Sequence, residues 1–284
     1  MNDIPPFATD CHMHVFGDPS CYPPSPSRTY TPVEATLSQW RAISRPFGFQ
    51  RVVLVQPSAY GTDNTRMLDG LREAGKAARG IAVIDNATPD DELNAMHALG
   101  VRGVRLNLTT GVSTDPAEIP AMLRSVAARI APLGWHMQVL IKGAWLDGFA
   151  DLVSGLSVPV VFDHMAGMRA ALGPNQPGLQ AGLRLLREGA CWMKISGADH
   201  VASRRDRPEE ALPIMCAMVA ANPDRLVWGS DWPHVGPRSN EGGSQKANYL
   251  PIDHGRLLAL LRRAAGDALG RILRDNPAKL YGWR

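Results

Sequence analysis

Eight short apolar runs rich in β-branched residues punctuate this chain: FATDCHMH from Phe7, RVVLVQ from Arg51, GIAVID from Gly80, GVRLNL from Gly103, HMQVLI from His136, PVVFDH from Pro159, WMKISG from Trp192 and LVWGSD from Leu226. Runs of this kind read as strands. Most gaps between them carry a helical apolar period, as in NTRMLDGLREAGKAA and in DDELNAMHALG, where Asp90 and its acidic neighbours open a helix and Gly100 closes it. AEIPAMLRSVAARIAPLG, after Pro116, and PGLQAGLRLLREGA repeat the pattern. Strands joined by helix-length crossovers pair in parallel. Eight such units in 284 residues predict an α/β chain folded as a single (β/α)8 TIM barrel, one domain over residues 1–284. The alternative, a doubly wound open sheet, usually carries a Gly-rich phosphate turn after its first strand, and HMHVFGDPS has none. The Pro/Ser-rich DPSCYPPSPSRTYTP reads as a long loop after that strand.

With 45% hydrophobic and 20% charged residues the chain has the composition of a globular protein with a substantial core. Its formal charge is only +3, with no Lys/Arg run to track a phosphate backbone, so nucleic acid is not an expected partner. Arginine dominates: of 30 basic residues only Lys76, Lys142, Lys194, Lys246 and Lys279 are lysines. Cys11, Cys21, Cys191 and Cys216 show no metal-binding spacing and read as reduced thiols of a cytoplasmic protein. MNDIPPFATD has neither a basic nor an apolar leader segment, and no apolar run approaches the roughly 20 residues that cross a bilayer. Secretion and membrane insertion are therefore not expected, and association into a homo-oligomer is left open.

In a parallel barrel the chemistry gathers at the carboxyl ends of the strands. The first strand ends in TDCHMHVFGD, with His12 and His14 two residues apart. Side chains two apart share a face, so Asp10, His12 and His14 are expected together, with Cys11, Met13 and Val15 opposite. Strand two runs into Gln56, Ser58, Tyr60 and Asn64, and strand four ends in Arg105 and Asn107. Strand six ends in Asp163 and His164, with Asp163 directed away from the face of His164; strand seven ends in Ser196, with His200 beyond, and strand eight in Asp231 and His234. A lone histidine is usually a satisfied core or cap residue. Chance gives no reason for strands one, six and eight all to end in a ligand or base. His136, at the amino end of its strand, reads as structural, and His97 and His254 as surface residues. His234 reads as a support of the site or a loop cap. The tryptophans read as core, with Trp232 as the one lining a pocket.

Taken in order, DCHMHVFGD, VVLVQPSAYGTDN, GVRGVRLNL, VVFDHM and VWGSDWPH resemble the amidohydrolase superfamily, specifically the 2-pyrone-4,6-dicarboxylate lactonase-like branch that also holds sulfomuconolactone hydrolases and sugar-acid lactonases and isomerases. The resemblance runs from Ala8 to the C-terminal ILRDNPAKLYGW. It implies a hydrolase acting on the ester bond of a small carboxylated lactone in the catabolism of aromatic or sugar acids. Asp231 would be the base for an attacking water, while His12, His14 and His164 polarise the carbonyl and steady the oxyanion. Tyr30, Ser58 and Arg105 fall on substrate-binding positions of the branch, with Tyr60, Asn107, His200 and Arg169 as further candidates. Arg169 reads equally well as a solvated loop residue. At Gly111, Leu140, Gly167 and His200 this chain departs from the Arg and Tyr residues that the resemblance implies. Much of a clamp for a second carboxylate is thereby lost, which favours a lactone with one carboxylate or a hydroxylated sugar-acid lactone.

Many superfamily members hold one or two divalent metals with a strand-four Lys or Glu and a strand-five His. Here strand four offers Arg105 and Asn107, and strand five ends in VLIKG. No cofactor is therefore expected. If a single zinc or manganese is bound, its ligands would be His12, His14 and Asp231 with water in the open position. The same constellation would serve lactone isomerisation, an internal hydroxyl replacing water. Metal-dependent decarboxylation lacks its strand-five His, and a non-catalytic sugar-acid binder has no need of the four polar residues.

Overall fold

The computed structural model describes residues 4–109, 115, 117–236, 246 and 249–283. Eight parallel strands follow one another in chain order: β1 Thr9–Met13, β2 Arg51–Val55, β3 Ala78–Ala82, β4 Val101–Asn107, β5 His136–Leu140, β6 Val160–Phe162, β7 Trp192–Lys194 and β8 Leu226–Val227. The seam between the last and first is joined by a parallel bridge from Met13 to Trp232, with His14 N donating to Trp232 O at 2.9 Å and Asp231 N to His12 O at 2.8 Å. Around the strands run α1 Leu37–Ser44, α2 Thr65–Ala74, α3 Asp90–Leu99, α4 Ile119–Ile130, α5 Leu146–Ser154, α6 Pro177–Arg187, α7 Ala198–Val201, α8 Leu212–Ala221, α9 His254–Ala265 and α10 Asn276–Tyr281. All eight expected strands are present and the chain is a (β/α)8 TIM barrel. Residues Gly111 and Pro116 lie outside the described segments.

Period two sorts the strand residues into two cores. Val53, Val55, Ile81, Val161, Trp192 and Val227 fill the barrel interior, whereas Val52, Leu54, Val104 and Phe162 pack outward in the layer shared with the helices. Helix ends follow their local signals. Thr36 and Gln39 form a reciprocal capping box at the start of α1. Asp90, Asp91 and Glu92 sit in the first turn of α3, and Gly100 ends it at φ 108°.

The first strand departs from strict alternation. Its register with β2 shifts between Asp10 and Met13, a bulge that lets Cys11 point into the barrel and His12 into its mouth. Asp10 is turned away from the ring of His12. Its carboxylate accepts from Trp40 Nε1 of α1 at 2.9 Å, from Ser230 N at 2.8 Å, from Ser230 Oγ at 2.6 Å and from His12 N at 3.2 Å. Asp10 thus fastens β1 to the segment that carries Asp231. Among the described residues all four cysteines are free thiols, and no helix is long and apolar enough to cross a membrane.

Candidate active site

A cavity of about 900 Å³ opens at the carboxyl ends of the strands, with His14, Arg105, His164, His200 and Asp231 among its walls. Asp231 Oδ1 is the point of convergence: the Nε2 atoms of His12, His14 and His164 lie 3.5, 3.7 and 3.6 Å from it. Its Oδ2 accepts from His200 Nε2 at 3.0 Å, and the His200 ring stacks on His164 with centroids 5.3 Å apart. Arg205 Nη2 lies 3.4 Å from His200 Nδ1, on the side of the ring away from Asp231.

Directly below lies a buried polar network. Asp163 Oδ2 accepts from Arg105 Nε and from Gln138 Nε2, both at 3.0 Å. Lys194 Nζ, fully buried, donates to Gln138 Oε1 at 2.6 Å and to Cys11 O at 3.0 Å, and lies 3.2 Å from His12 Nδ1. Asp163 Oδ1 is 3.3 Å from Lys194 Nζ and 3.4 Å from His12 Nδ1. Paired charges of opposite sign are what make such burial tolerable.

These surroundings fix the charge states. Burial opposes ionisation of Asp231, but His164, the hydrogen bond from His200, and His12 outweigh it and hold the carboxyl well below its usual range. Asp163 is likewise held low against burial by Lys194, His12 and Arg105. Burial, reinforced by the charge of Lys194, pushes His12 well below the ordinary imidazole range; burial brings His14 to about 4 and lowers His164. His200 moves the other way: burial works against its cation, yet the bond to Asp231 and the nearby Asp199 raise it. Both shifts point the same way at neutral pH: Asp231 toward its ionised form and the imidazoles of His12, His14 and His164 toward their neutral forms.

The backbone here is constrained. His164, Met165 and Ala166 have φ of 47, 53 and 54°, and Asp231 has 64°, left-handed values that cost a non-glycine residue about 1–3 kcal/mol. Tight packing maintains them. A Cβ on Gly229 would fall 2.5 Å from His12 N, and one on Gly197 2.9 Å from His164 Nδ1, so both positions require glycine. His164 is further held by Ser196 Oγ at 3.1 Å from Nδ1, and His14 by Nδ1 donating to Val55 O at 2.8 Å.

The structure brings together His12, His14, His164, Asp231 and His200, with Tyr30, Ser58, Arg105, Asn107 and Arg169 also on the cavity wall. Tyr60 is not on it: its hydroxyl accepts from Gly17 N at 3.1 Å and braces the loop after β1. Trp232 packs into the core instead of lining the cavity. His254 is buried, its Nε2 2.8 Å from that of His234, and His97 is half-buried and accepts from Trp135 Nε1 at 2.9 Å, so neither is a bare surface residue. Asp163, expected to point away from the face of His164, is not on the cavity wall and forms the anionic hub below His12. Sequence reasoning also missed Gln138 and Lys194, although a lysine and a glutamine inside otherwise apolar strands, HMQVLI and WMKISG, were a visible signal. Lys142 and Arg205, two further cations on the wall, gave no such signal because they lie on loops.

His12, His164 and Asp231 offer ligand atoms within 4.8 Å of one another, so distance alone admits a small divalent cation. The expected set used His14 in place of His164, and His14 Nε2 is also 3.3 Å from His12 Nε2. Such an ion would act as a Lewis acid and activate a bound water. A histidine ligating through Nε2 gives its other N–H to an acceptor, and His12 Nδ1 lies between such an acceptor, Asp163 Oδ1 at 3.4 Å, and the donating ammonium of Lys194 at 3.2 Å, which opposes that role.

The amidohydrolase family model matches residues 9–283. The chain is similar to a 2-pyrone-4,6-dicarboxylate hydrolase of Comamonas testosteroni, 32% identical over 98% of this chain and 91% of that protein. It is 31% identical to a 4-sulfomuconolactone hydrolase of Rhizobium radiobacter, over 98% and 91% of the two chains. A D-galactarolactone isomerase of Agrobacterium fabrum is 26% identical over 96% and 89%. With that match over nearly its whole length, and with the strand-end histidines and aspartate gathered at one mouth, the chain belongs to the amidohydrolase family.

Proposed function

We propose that this protein is a lactonase that opens a small carboxylated lactone, of the sugar-acid or muconolactone/pyrone type, by attack of water without a resident metal. The observation that carries the reading is the ionised Asp231, whose Oδ1 faces three neutral imidazoles at the wall of the cavity. Water placed beside Oδ1 gives up a proton to it as its oxygen attacks the ring carbonyl carbon. The developing oxyanion is met by the imidazole N–H of His164, with His14 beside it. Collapse breaks the bond to the ring oxygen, which takes the proton back from Asp231, leaving a hydroxy acid. His200 keeps Asp231 aimed through Oδ2.

Arg105 is tied at Nε to Asp163, which fixes its guanidinium on the wall as the receptor for a substrate carboxylate. Lys142, Arg169 and Arg205 add positive charge to the same cavity, and Tyr30, Ser58 and Asn107 add neutral polar groups. This set suits an anionic lactone despite the departures from Arg and Tyr at Leu140 and Gly167. The four free thiols fit a reducing cytoplasm, where catabolism of aromatic or sugar acids takes place.

The test is a pH-indicator hydrolysis screen across pyrone, muconolactone and sugar-acid lactones, with untreated and chelated enzyme and Asp231→Asn as blank. Proton release that survives chelation and disappears in the variant is expected; silence on all three classes would sink the reading. The isomerase relative favours a second reading, in which a substrate hydroxyl replaces water. Turnover in ¹⁸O-water separates them, since hydrolysis incorporates one solvent oxygen and isomerisation none.

A further inference from the structure

The protons of the buried β1 pair can be placed from both ends of a chain of contacts. At one end Val55 O can only accept, so His14 Nδ1, 2.8 Å away, carries a proton; in the neutral ring His14 Nε2 is then an acceptor. His12 Nε2 lies 3.3 Å from it. At the other end the ammonium of Lys194, beside the Asp163 carboxylate, has three protons. Two go to acceptor-only oxygens, Gln138 Oε1 and Cys11 O, and the third reaches His12 Nδ1 at 3.2 Å in hydrogen-bonding geometry, with Asp163 Oδ1 beside it as the ion-pair contact at 3.3 Å. Both ends give the same answer: His12 accepts at Nδ1 and donates from Nε2 to His14.

We infer that Lys194 is a positioning residue that holds His12 in its Nε2–H tautomer, closing the β1 pair into a chain Lys194–His12–His14–Val55 in place of two lone pairs open to a metal ion. The inference rests on the metal-free reading of the site and assigns the residue responsible for it. The alternative arrangement is built alongside. Asp163 Oδ1, buried and in ion-pair contact with Lys194 Nζ at 3.3 Å, lies 3.4 Å from His12 Nδ1. Without the ammonium at Nδ1, His12 would give its Nδ1 proton to that oxygen and present a bare Nε2 beside His164 and Asp231, the arrangement typical of histidine ligands. Lysine suits the role, because a compact ammonium fits among Gln138, Cys11 O and the imidazole, where the planar guanidinium fork has no matching partner. In a chain with only five lysines among 30 basic residues, this one occupies a barrel strand.

The test reads the tautomer directly. Long-range ¹H–¹⁵N correlation on ¹⁵N-histidine-labelled protein as purified, with His12 assigned by its loss in His12→Gln, should show a protonated Nε2 and an unprotonated Nδ1. In Lys194→Met the proton should move to Nδ1, and zinc affinity by equilibrium dialysis should rise about 10- to 100-fold, the usual effect of partners that orient a ligand. A wild-type His12 protonated at Nδ1, or a metal bound through its Nε2, overturns the inference even if the variant does not fold. So does a folded Lys194→Met with an unchanged tautomer or unchanged zinc affinity. No turnover is needed, so failure on every lactone would leave this readout standing.

Discussion

Asp231 Oδ2 and His200 Nε2 are 3.0 Å apart, while the other oxygen of the same carboxylate is left to face His12, His14 and His164. One oxygen is held, and the other is the proposed base. Asp231→Asn preserves the shape and most of the contacts but removes the base, so kcat should fall by about 10²–10⁴-fold with little change in thermal midpoint. His200→Gln should cost much less, because it loosens the aim of the carboxylate without removing it. Steady-state kinetics with a melting curve for each variant checks the order; equal losses would mean that Asp231 and His200 act as a unit.

The charge states set the pH profile. His14 becomes charged only near pH 4 and Asp231 stays ionised below the usual carboxylate range, so no acid limb should appear at the ordinary imidazole value. On the alkaline side, the raised His200 keeps its charge above that value and loses it as pH rises through its elevated pKa. Its stabilising interaction with Asp231 is therefore fully present below the ordinary imidazole range and lost above the elevated value. kcat/KM for an anionic lactone should follow the same alkaline limb, and His200→Gln should flatten it. A limb in wild type that persists unchanged in the variant would assign it to another group.

The alternation of strand and helix made the barrel legible, because parallel strands buried on both faces read as uninterrupted apolar runs whatever else they carry. Asp231 and the three histidines around its Oδ1 were legible for the same reason, since each is a polar residue at the end of such a run. Asp10 was misplaced because a bulge cancels the period-two rule, and nothing in TDCHM marks it. Lys194 and Gln138 carried no mark of that kind, because each lies inside an apolar run, WMKISG or HMQVLI, and not among the polar residues that follow it. Tyr60 was a matter of distance: its ring is spent on bracing Gly17.

Gly229 tests how tightly the backbone around Asp231 is set. A methyl there would meet His12 N and Cβ at 2.5 Å, contacts that no side-chain rotation relieves. Gly229→Ala should therefore push β1 and the Asp231 segment apart, costing about 1–3 kcal/mol in stability and lowering kcat more than it changes KM. Denaturant unfolding and kinetics on the same preparation check it. Wild-type kcat in a destabilised Gly229→Ala would show that the site tolerates displacement of its first strand.

Arg105 has two tasks that substitution can separate. Toward the interior its Nε supports Asp163, whose side chain is wholly buried; toward the cavity it is the proposed carboxylate receptor. Arg105→Met removes both, leaving a buried carboxylate with one cation fewer, and should destabilise the fold by about 3–5 kcal/mol as well as raise KM. Arg105→Lys keeps a charge near Asp163 but loses the fork that holds the ion pair and a substrate carboxylate at once. It should unfold close to wild type yet show KM raised about tenfold on carboxylated lactones and unchanged on a neutral lactone of the same ring. A KM increase of equal size on both substrates would remove Arg105 from carboxylate recognition and leave it only the support of Asp163.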